Sequence, residues 1–249
     1  MIGVAPTIQK APSERILGWN QRVLAVFPDA DAISIHPYIR LDTRLAQRDP
    51  AAALEQIARV WRDMLETHLS TLPAGTTLWV TEYNAVPFNR DPAAGTWMHG
   101  LAALHLTLLI MQDERVEMLL LHQLTGHPQF ASMTVAAGDV APRQVPLTGV
   151  GHAMRLLGEA AAGSRRATAV THGQAAGWQF DNGRMLLING TAEPVRVNLP
   201  GTEARVFRSE QPLSGQVHRG DRAGRINEQR QPGKNLELPP RSAALVARD

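Results

Sequence analysis

Apolar residues recur along this chain with two different periods, and the change between them divides it in two. In the first portion short apolar runs alternate with helical spacing. Met1–Ala5 reads as a strand, and Ser13–Phe27 carries Ile16, Leu17, Val23, Leu24 and Phe27 at helical intervals, with Ser13 as its N-cap. Asp31–Ile39 is a second strand, and Asp49-Pro50 opens a long helix that runs to Leu72. Thr76–Thr81 is a third strand, ending at Glu82. A helix over Gly95–Met111, a strand over Val116–Leu121, a polar loop and a helix from Val150 to Ala162 complete the series. Strands and helices in strict alternation predict parallel βα units with right-handed connections.

Beyond Gly163 the helical period disappears. Ala167–Thr171, Gly177–Phe180, Met185–Asn189, Val195–Leu199, Ala204–Phe207 and Ala243–Ala247 are short strands separated by turn residues. Asp181-Asn182-Gly183 has the composition of a hairpin turn, because Asn and Gly tolerate positive φ. This spacing predicts an antiparallel β-sandwich of about eight strands. Pro212–Lys234 is polar and reads as a long surface loop. The predicted organisation is therefore an α/β part over residues 1–162 and an all-β domain over residues 163–249.

Composition narrows the function classes. Of the 249 residues, 44% are hydrophobic and 19% charged, as in ordinary globular proteins, and no apolar run is long enough to span a membrane. The net charge is +2, and all basic residues but Lys10 and Lys234 are scattered arginines, with no basic stripe interleaved with aromatics. A nucleic-acid surface is not expected. Cysteine is absent, which removes disulfides, thiolate metal sites and cysteine nucleophiles. With no basic n-region or long apolar h-region at the N-terminus, a cytoplasmic location is the expectation.

Candidate chemistry centres on Glu82, a carboxylate closing the apolar run Thr77-Leu78-Trp79-Val80-Thr81. A charge at the end of a buried strand is costly without hydrogen-bond partners, and the C-terminal ends of parallel strands are where α/β enzymes place chemistry. Alternation puts Ser34, His36 and Tyr38 on one side of their strand and Ile33, Ile35 and Ile39 on the other. In the third strand it puts Leu78, Val80 and Glu82 on one side, opposite Trp79 and Thr81. With the isoleucines and Trp79 under helices, His36, Tyr38 and Glu82 converge on one rim, where the next strand delivers His122 and Gln123. His99 and His105 fall on a helix, where packing is the simpler role. His36 and His122 are also of a type to bind Zn²⁺, although no third ligand is convincingly spaced.

These residues resemble a known family. Ile33-Ser34-Ile35-His36-Pro37-Tyr38, followed by Trp79-Val80-Thr81-Glu82-Tyr83-Asn84, looks like strands six and seven of the clan A glycoside hydrolases, most like the α-L-arabinofuranosidases of family 51. His152-Ala153-Met154-Arg155-Leu156-Leu157 resembles the family's closing helix. Leu238-Pro239-Pro240-Arg241-Ser242-Ala243-Ala244-Leu245-Val246 resembles the last strand of its C-terminal β-sandwich. The resemblance implies the C-terminal half of a (β/α)8 barrel followed by that sandwich, acting on a carbohydrate without cofactor or metal. It implies Glu82 as nucleophile, Tyr38 as its hydrogen-bond partner, and His36, Asn84, His122 and Gln123 as sugar contacts.

Retaining glycosidases need two carboxyl groups about 5–5.5 Å apart. In clan A the acid/base glutamate follows an asparagine at the end of strand four, and no such Asn-Glu precedes His36. By the resemblance Met1–Ala5 is strand five, so the expectation is a chain that carries the nucleophile without the acid/base half. Asp31 and Glu117 lie at strand starts, on the opposite rim. Asp91, after Glu82, is the one acid placed to substitute. The chain would then require an N-terminal half or self-association to close its open edges. The other reading is a carbohydrate-binding module or degenerate remnant that works with a partner chain.

Overall fold

The computed structural model describes residues 18–87, 91–127, 129–133, 147–213 and 225–248. The expected strand at Met1–Ala5, the Ser13 cap and residues 214–224 of the expected loop lie outside that range. The described elements begin with helix α1 (Trp19–Val26), strand β1 (Ala32–Ile35), strand β2 (Tyr38–Arg40), helix α2 (Thr43–Arg48) and helix α3 (Pro50–Met64). Strand β3 (Thr77–Val86), helix α4 (Trp97–Ile110), strand β4 (Val116–Leu121) and helix α5 (Gly149–Ala161) follow.

The single strand expected over Asp31–Ile39 is two, divided at His36-Pro37. Proline has no N–H to give a ladder, so pairing stops there and resumes at Tyr38. Both pieces run parallel to β3: Ile33 opposite Leu78 in β1, and Tyr38 opposite Asn84 in β2. Strand β4 lies parallel on the other side of β3, which makes β3 the centre of the sheet. Strand β3 also extends well past Thr81, because Asn84 to Val86 pair with β2.

Side-chain caps start the helices. Asp42 accepts from the Leu45 N–H at 2.9 Å and Asp49 from the Ala52 N–H at 3.0 Å. Thr96 and Thr148 cap α4 and α5 in the same way. The helix expected from Pro50 to Leu72 ends sooner: α3 passes at Leu65 into a π-helical turn that finishes at Leu69. Helix α2, which has no hydrophobic stripe and buries only Ala46, was not expected. Helix α4 is apolar almost all round and lies buried between the parallel sheet, α5 and the β-strands that follow.

Helices α4 and α5 cross where glycines replace side chains. A Cβ on Gly100 would run into the Gly149 carbonyl, and one on Gly149 into the Thr96 carbonyl. The Gly149 N–H instead donates to the Gly95 carbonyl at 2.8 Å.

Eight further strands follow: β5 (Ala167–His172), β6 (Ala175–Phe180), β7 (Met185–Asn189), β8 (Val195–Val197), β9 (Thr202–Ser209), β10 (Ile226–Pro232), β11 (Leu236–Leu238) and β12 (Ser242–Arg248). Six form an antiparallel sheet in the order β10-β9-β12-β7-β6-β5, and β8 pairs with β11. Alternation explains why both faces of the large sheet are buried. Leu187, Val206, Ala244 and Val246 meet Val195, Val197, Leu236 and Leu238 of the small ribbon in one cluster. Leu186, Ile188, Phe207, Ala243 and Leu245 point the other way, into the core shared with α3, α4 and the parallel sheet.

Strand β10 corrects the reading of Pro212–Lys234 as loop. Its side chains are largely exposed because it is an edge strand whose only partner among the described residues is β9, so it carries no apolar alternation. Arg205 bridges the seam, paired with Glu228 of β10 at 2.7 Å and with Glu159 of α5 at 2.5 Å. Trp97 Nε1 donates to the Arg241 carbonyl at 2.8 Å, a second tie between α4 and the β-strands. No described helix is long and apolar enough to cross a membrane.

The glycine crossing gives a testable contrast. Gly100→Ala should lower stability by roughly 1–3 kcal/mol, because backbone rather than a flexible side chain must move. Gly158→Ala, on the open side of α5 with nothing within 4 Å of its Cβ position, should raise stability by about 0.5–1 kcal/mol. Urea denaturation of both variants checks the pair.

Candidate functional site

The parallel sheet has one face under helices and one face that no described helix covers. Ile33, Ile35, Leu78 and Val80 are fully buried on the helical side. Trp79 is 37% exposed on the other side, where its Nε1 donates to Glu117 Oε2 at 3.0 Å. This reverses the expectation that Trp79 packs under helices while Leu78 and Val80 share a face with Glu82. Strand β3 is apolar on both faces, so the pattern alone could not choose between them.

Glu82 reaches the helix-free face through a bulge. Val80 pairs with Leu119 and Tyr83 with Leu121, so three steps along β3 match two along β4. The extra residue falls at Thr81–Glu82 and reverses the alternation beyond it. Tyr83, accordingly, is buried on the helical side, where its hydroxyl lies 2.7 Å from Thr107 Oγ1 of α4. Thr81 and Glu82 are left together on the free face.

There they meet β1 and β2. Tyr38 donates its hydroxyl to Glu82 Oε2 at 2.6 Å. His36 Nδ1 stands 3.9 Å from the same oxygen, and its Nε2 is 2.8 Å from Thr81 Oγ1. Ser34 Oγ approaches Thr81 Oγ1 at 2.6 Å, which makes a continuous polar chain Ser34–Thr81–His36 beside the carboxylate. The Glu82 side chain remains 43% exposed, so it is both held and open to a ligand. Burial, then the hydrogen bond to Glu82, then the charge of Glu82 hold the Tyr38 phenol well above its usual range. Tyr38 therefore stays protonated and acts as a donor at every physiological pH.

Of the other candidates, His122 packs edge-on against the Tyr38 ring, with centroids 5.9 Å apart. Phe130, which the sequence did not single out, packs on both Tyr38 and His122 at 5.8 and 5.1 Å. The Gln123 amide lies against Gly126, and its backbone pairs with Phe130 and Ser132. Asn84 takes a role different from the sugar contact implied by the resemblance. It is fully buried, and its amide donates to the carbonyls of His122 at 2.6 Å and Phe130 at 3.1 Å. That clamps the segment after β4 to the end of β3.

A buried histidine sets the Asn84 amide. His99 Nδ1 accepts from the Gly95 N–H at 3.0 Å, so its proton sits on Nε2, which faces Asn84 Oδ1 at 3.3 Å. Burial lowers the His99 pKa to about 4 against the smaller opposing effects of the Ala85 backbone and the Asp91 charge. Asp91 is itself engaged in local structure. One oxygen accepts from Thr43 Oγ1 at 2.7 Å and the other from the Ala93 N–H at 2.8 Å. With Asp42 capping α2, both acids that follow these strands are structural in this arrangement. Among the described residues no three His, Asp or Glu side chains are grouped to hold a metal ion.

Solved structures share this arrangement of elements. A family 51 arabinofuranosidase from Xanthomonas axonopodis pv. citri superposes with a TM-score of 0.66 at 17% identity, covering 98% of this chain and 57% of its own. An α-L-arabinofuranosidase from Thermotoga maritima, solved as an arabinose complex, gives 0.58 at 17% identity over 98% and 56% of the two chains. A family 39 β-xylosidase from Caulobacter crescentus gives 0.53 at 14% identity over 96% and 55%. The chain shares the fold of the matching part of these glycoside hydrolase structures. The chain spans little more than half the length of the solved structures it matches. No protein-family model and no curated protein sequence matches it.

The buried imidazole predicts an acid-sensitive fold. The folded-state pKa of His99, about 4, lies below the ordinary 6.5, so folding favours the neutral form. Its contribution is complete above pH 6.5 and is lost as the pH falls towards 4, about 3 kcal/mol in all. His105 and His152, both lowered to about 4 chiefly by burial, act in the same direction. Urea midpoints measured from pH 7 to pH 4 should fall steeply, and less steeply in His99→Gln.

Proposed function

We propose that this chain carries the nucleophile half of a retaining glycoside hydrolase of the α-L-arabinofuranosidase type. Residues 1–162 would supply the last four βα units of a (β/α)8 barrel and residues 163–249 its β-sandwich. The observation that carries the reading is the 2.6 Å hydrogen bond from Tyr38 to Glu82 across neighbouring parallel strands, on the helix-free face of a sheet with a clan A fold.

The chemistry follows from that geometry. The unbonded oxygen of Glu82 attacks the anomeric carbon, the bond from that carbon to the leaving oxygen breaks, and a covalent glycosyl-enzyme forms with inversion. The Tyr38 hydroxyl fixes the carboxylate's orientation through its other oxygen. His36 and the His122–Phe130 pair flank the place where the sugar ring would sit, with Gln123 in the adjoining segment. A second carboxyl group must protonate the leaving oxygen as that bond breaks, and later activate water. With Asp42 engaged as a cap and Asp91 in the turn at Ala93, that group would come from polypeptide corresponding to the remainder of the matched structures. Exposed Trp79, Met118 and Leu120 on the helix-free face support a complement at that surface.

A leaving group that needs no protonation separates the nucleophile's role from the missing acid. A dinitrophenyl α-L-arabinofuranoside should transfer its glycosyl group to Glu82, releasing dinitrophenolate and leaving a stable adduct seen by mass spectrometry of the digested chain. Glu82→Gln should take up no label, and Tyr38→Phe should label at least tenfold more slowly. Sugar binding without any adduct would favour the carbohydrate-binding reading instead.

A further inference from the structure

Ser34, Thr81 and His36 make a chain of two short contacts beside the Glu82 carboxylate. Ser34 Oγ stands 2.6 Å from Thr81 Oγ1, which in turn stands 2.8 Å from His36 Nε2. Both separations are those of hydrogen bonds, so each contact holds one proton.

Counting protons gives the chain a direction. A neutral imidazole carries a single N–H, on Nδ1 or on Nε2, and each hydroxyl brings one proton. With Nε2 bare, the Ser34 hydroxyl donates to Thr81 and the Thr81 hydroxyl donates to His36. Two protons then fill two contacts. With the proton on Nε2, three protons compete for the same two contacts, and one hydroxyl proton is left over. Neither hydroxyl has another acceptor among the described residues, and Ser34 is buried. Buried donors are rarely left unmatched.

The carboxylate favours the same arrangement. His36 Nδ1 lies 3.9 Å from Glu82 Oε2, the oxygen that already accepts from Tyr38 at 2.6 Å. A bare Nδ1 turns a lone pair towards that negative oxygen, whereas Nδ1–H turns the positive end of its dipole there.

We infer that Ser34 and Thr81 lock the neutral His36 imidazole in its Nδ1–H form, with that proton facing Glu82 Oε2. The hydrogen bond made by one ring nitrogen sets the proton on the other. At 3.9 Å the imidazole acts on the carboxylate through charge rather than through a hydrogen bond. Together with the Tyr38 hydroxyl it draws Oε2 to one side and leaves the other oxygen open to a ligand. Thr81 is thereby a positioning residue, acting on Glu82 through His36. Its effect on glycosyl transfer rests on Glu82 being the nucleophile, while the tautomer does not.

Two-bond ¹H–¹⁵N correlation spectra of the ¹⁵N-labelled full chain show which ring nitrogen is bare, and His36→Asn assigns the signal. At the alkaline end of its titration, His36 should have Nε2 bare and Nδ1 protonated. In Thr81→Val, which keeps the branched shape without the hydroxyl, the Nδ1–H fraction should fall. Transfer of the arabinofuranosyl group to Glu82 from its dinitrophenyl glycoside should also slow by about two- to tenfold, the effect of one lost hydrogen bond. Thr81→Ser, which restores the hydroxyl, should recover both the tautomer and most of the rate. A proton on Nε2 in the native chain overturns the inference, whether or not any variant folds. So does a folded Thr81→Val with an unchanged tautomer, or one that labels at the native rate. A native chain that shows the Nδ1–H form but takes up no label counts against the nucleophile alone.

Discussion

The arrangement around Glu82 depends on one irregularity, the extra residue in β3 at Thr81–Glu82. Without it, strict alternation would carry Glu82 to the helical face beside Leu78 and Val80, where an ionised carboxylate would be buried among apolar groups. With it, Tyr83 takes the helical side and bonds to Thr107, while Glu82 joins Thr81 on the free face. The hydrogen bond from Tyr38 then becomes possible, and the exposed oxygen has room for a ligand. The break at Pro37 makes a matching adjustment in the neighbouring strand, so that His36 and Tyr38 both meet β3 where it bulges.

A layer of buried polar groups holds that geometry from below. Asn84 binds two carbonyls of the segment that places His122 and Phe130 against Tyr38, and His99 fixes the Asn84 amide. His99 is in turn fixed by the turn before α4, where Asp91 is locked by Thr43. Each member uses its hydrogen-bonding capacity on backbone or on another member, so the network resists rearrangement. The tyrosine–carboxylate pair thus rests on structure that never touches it.

Much of this was readable in the sequence because the signals were local. Asp49-Pro50 marked the start of α3, and the apolar run Val116–Leu121 gave β4 without error. Convergence of His36, Tyr38 and Glu82 followed from parallel strands, although the facing assigned to Trp79 was inverted. What was not readable depends on partners remote in sequence. A bulge is a mismatch between two strands and leaves no mark in one of them. Phe130 sits in a segment with no periodicity, and its position is fixed by Asn84, 46 residues earlier. Strand β10 is polar because it is an edge, and α2 is short and nearly all polar, so neither shows an apolar period.

The two tyrosines of the chain allow a direct test of the central interaction. Tyr83→Phe leaves Tyr38 as the sole tyrosine, and its ionisation can be followed by ultraviolet absorbance through the alkaline range. The structure predicts that Tyr38 titrates well above the ordinary 10.0, and that Glu82→Gln in the same background lowers it, while burial, the largest cause, still holds it above that value. An ordinary titration near 10.0 that does not respond to Glu82→Gln would contradict the pairing, and with it the placement of Glu82 on the open face.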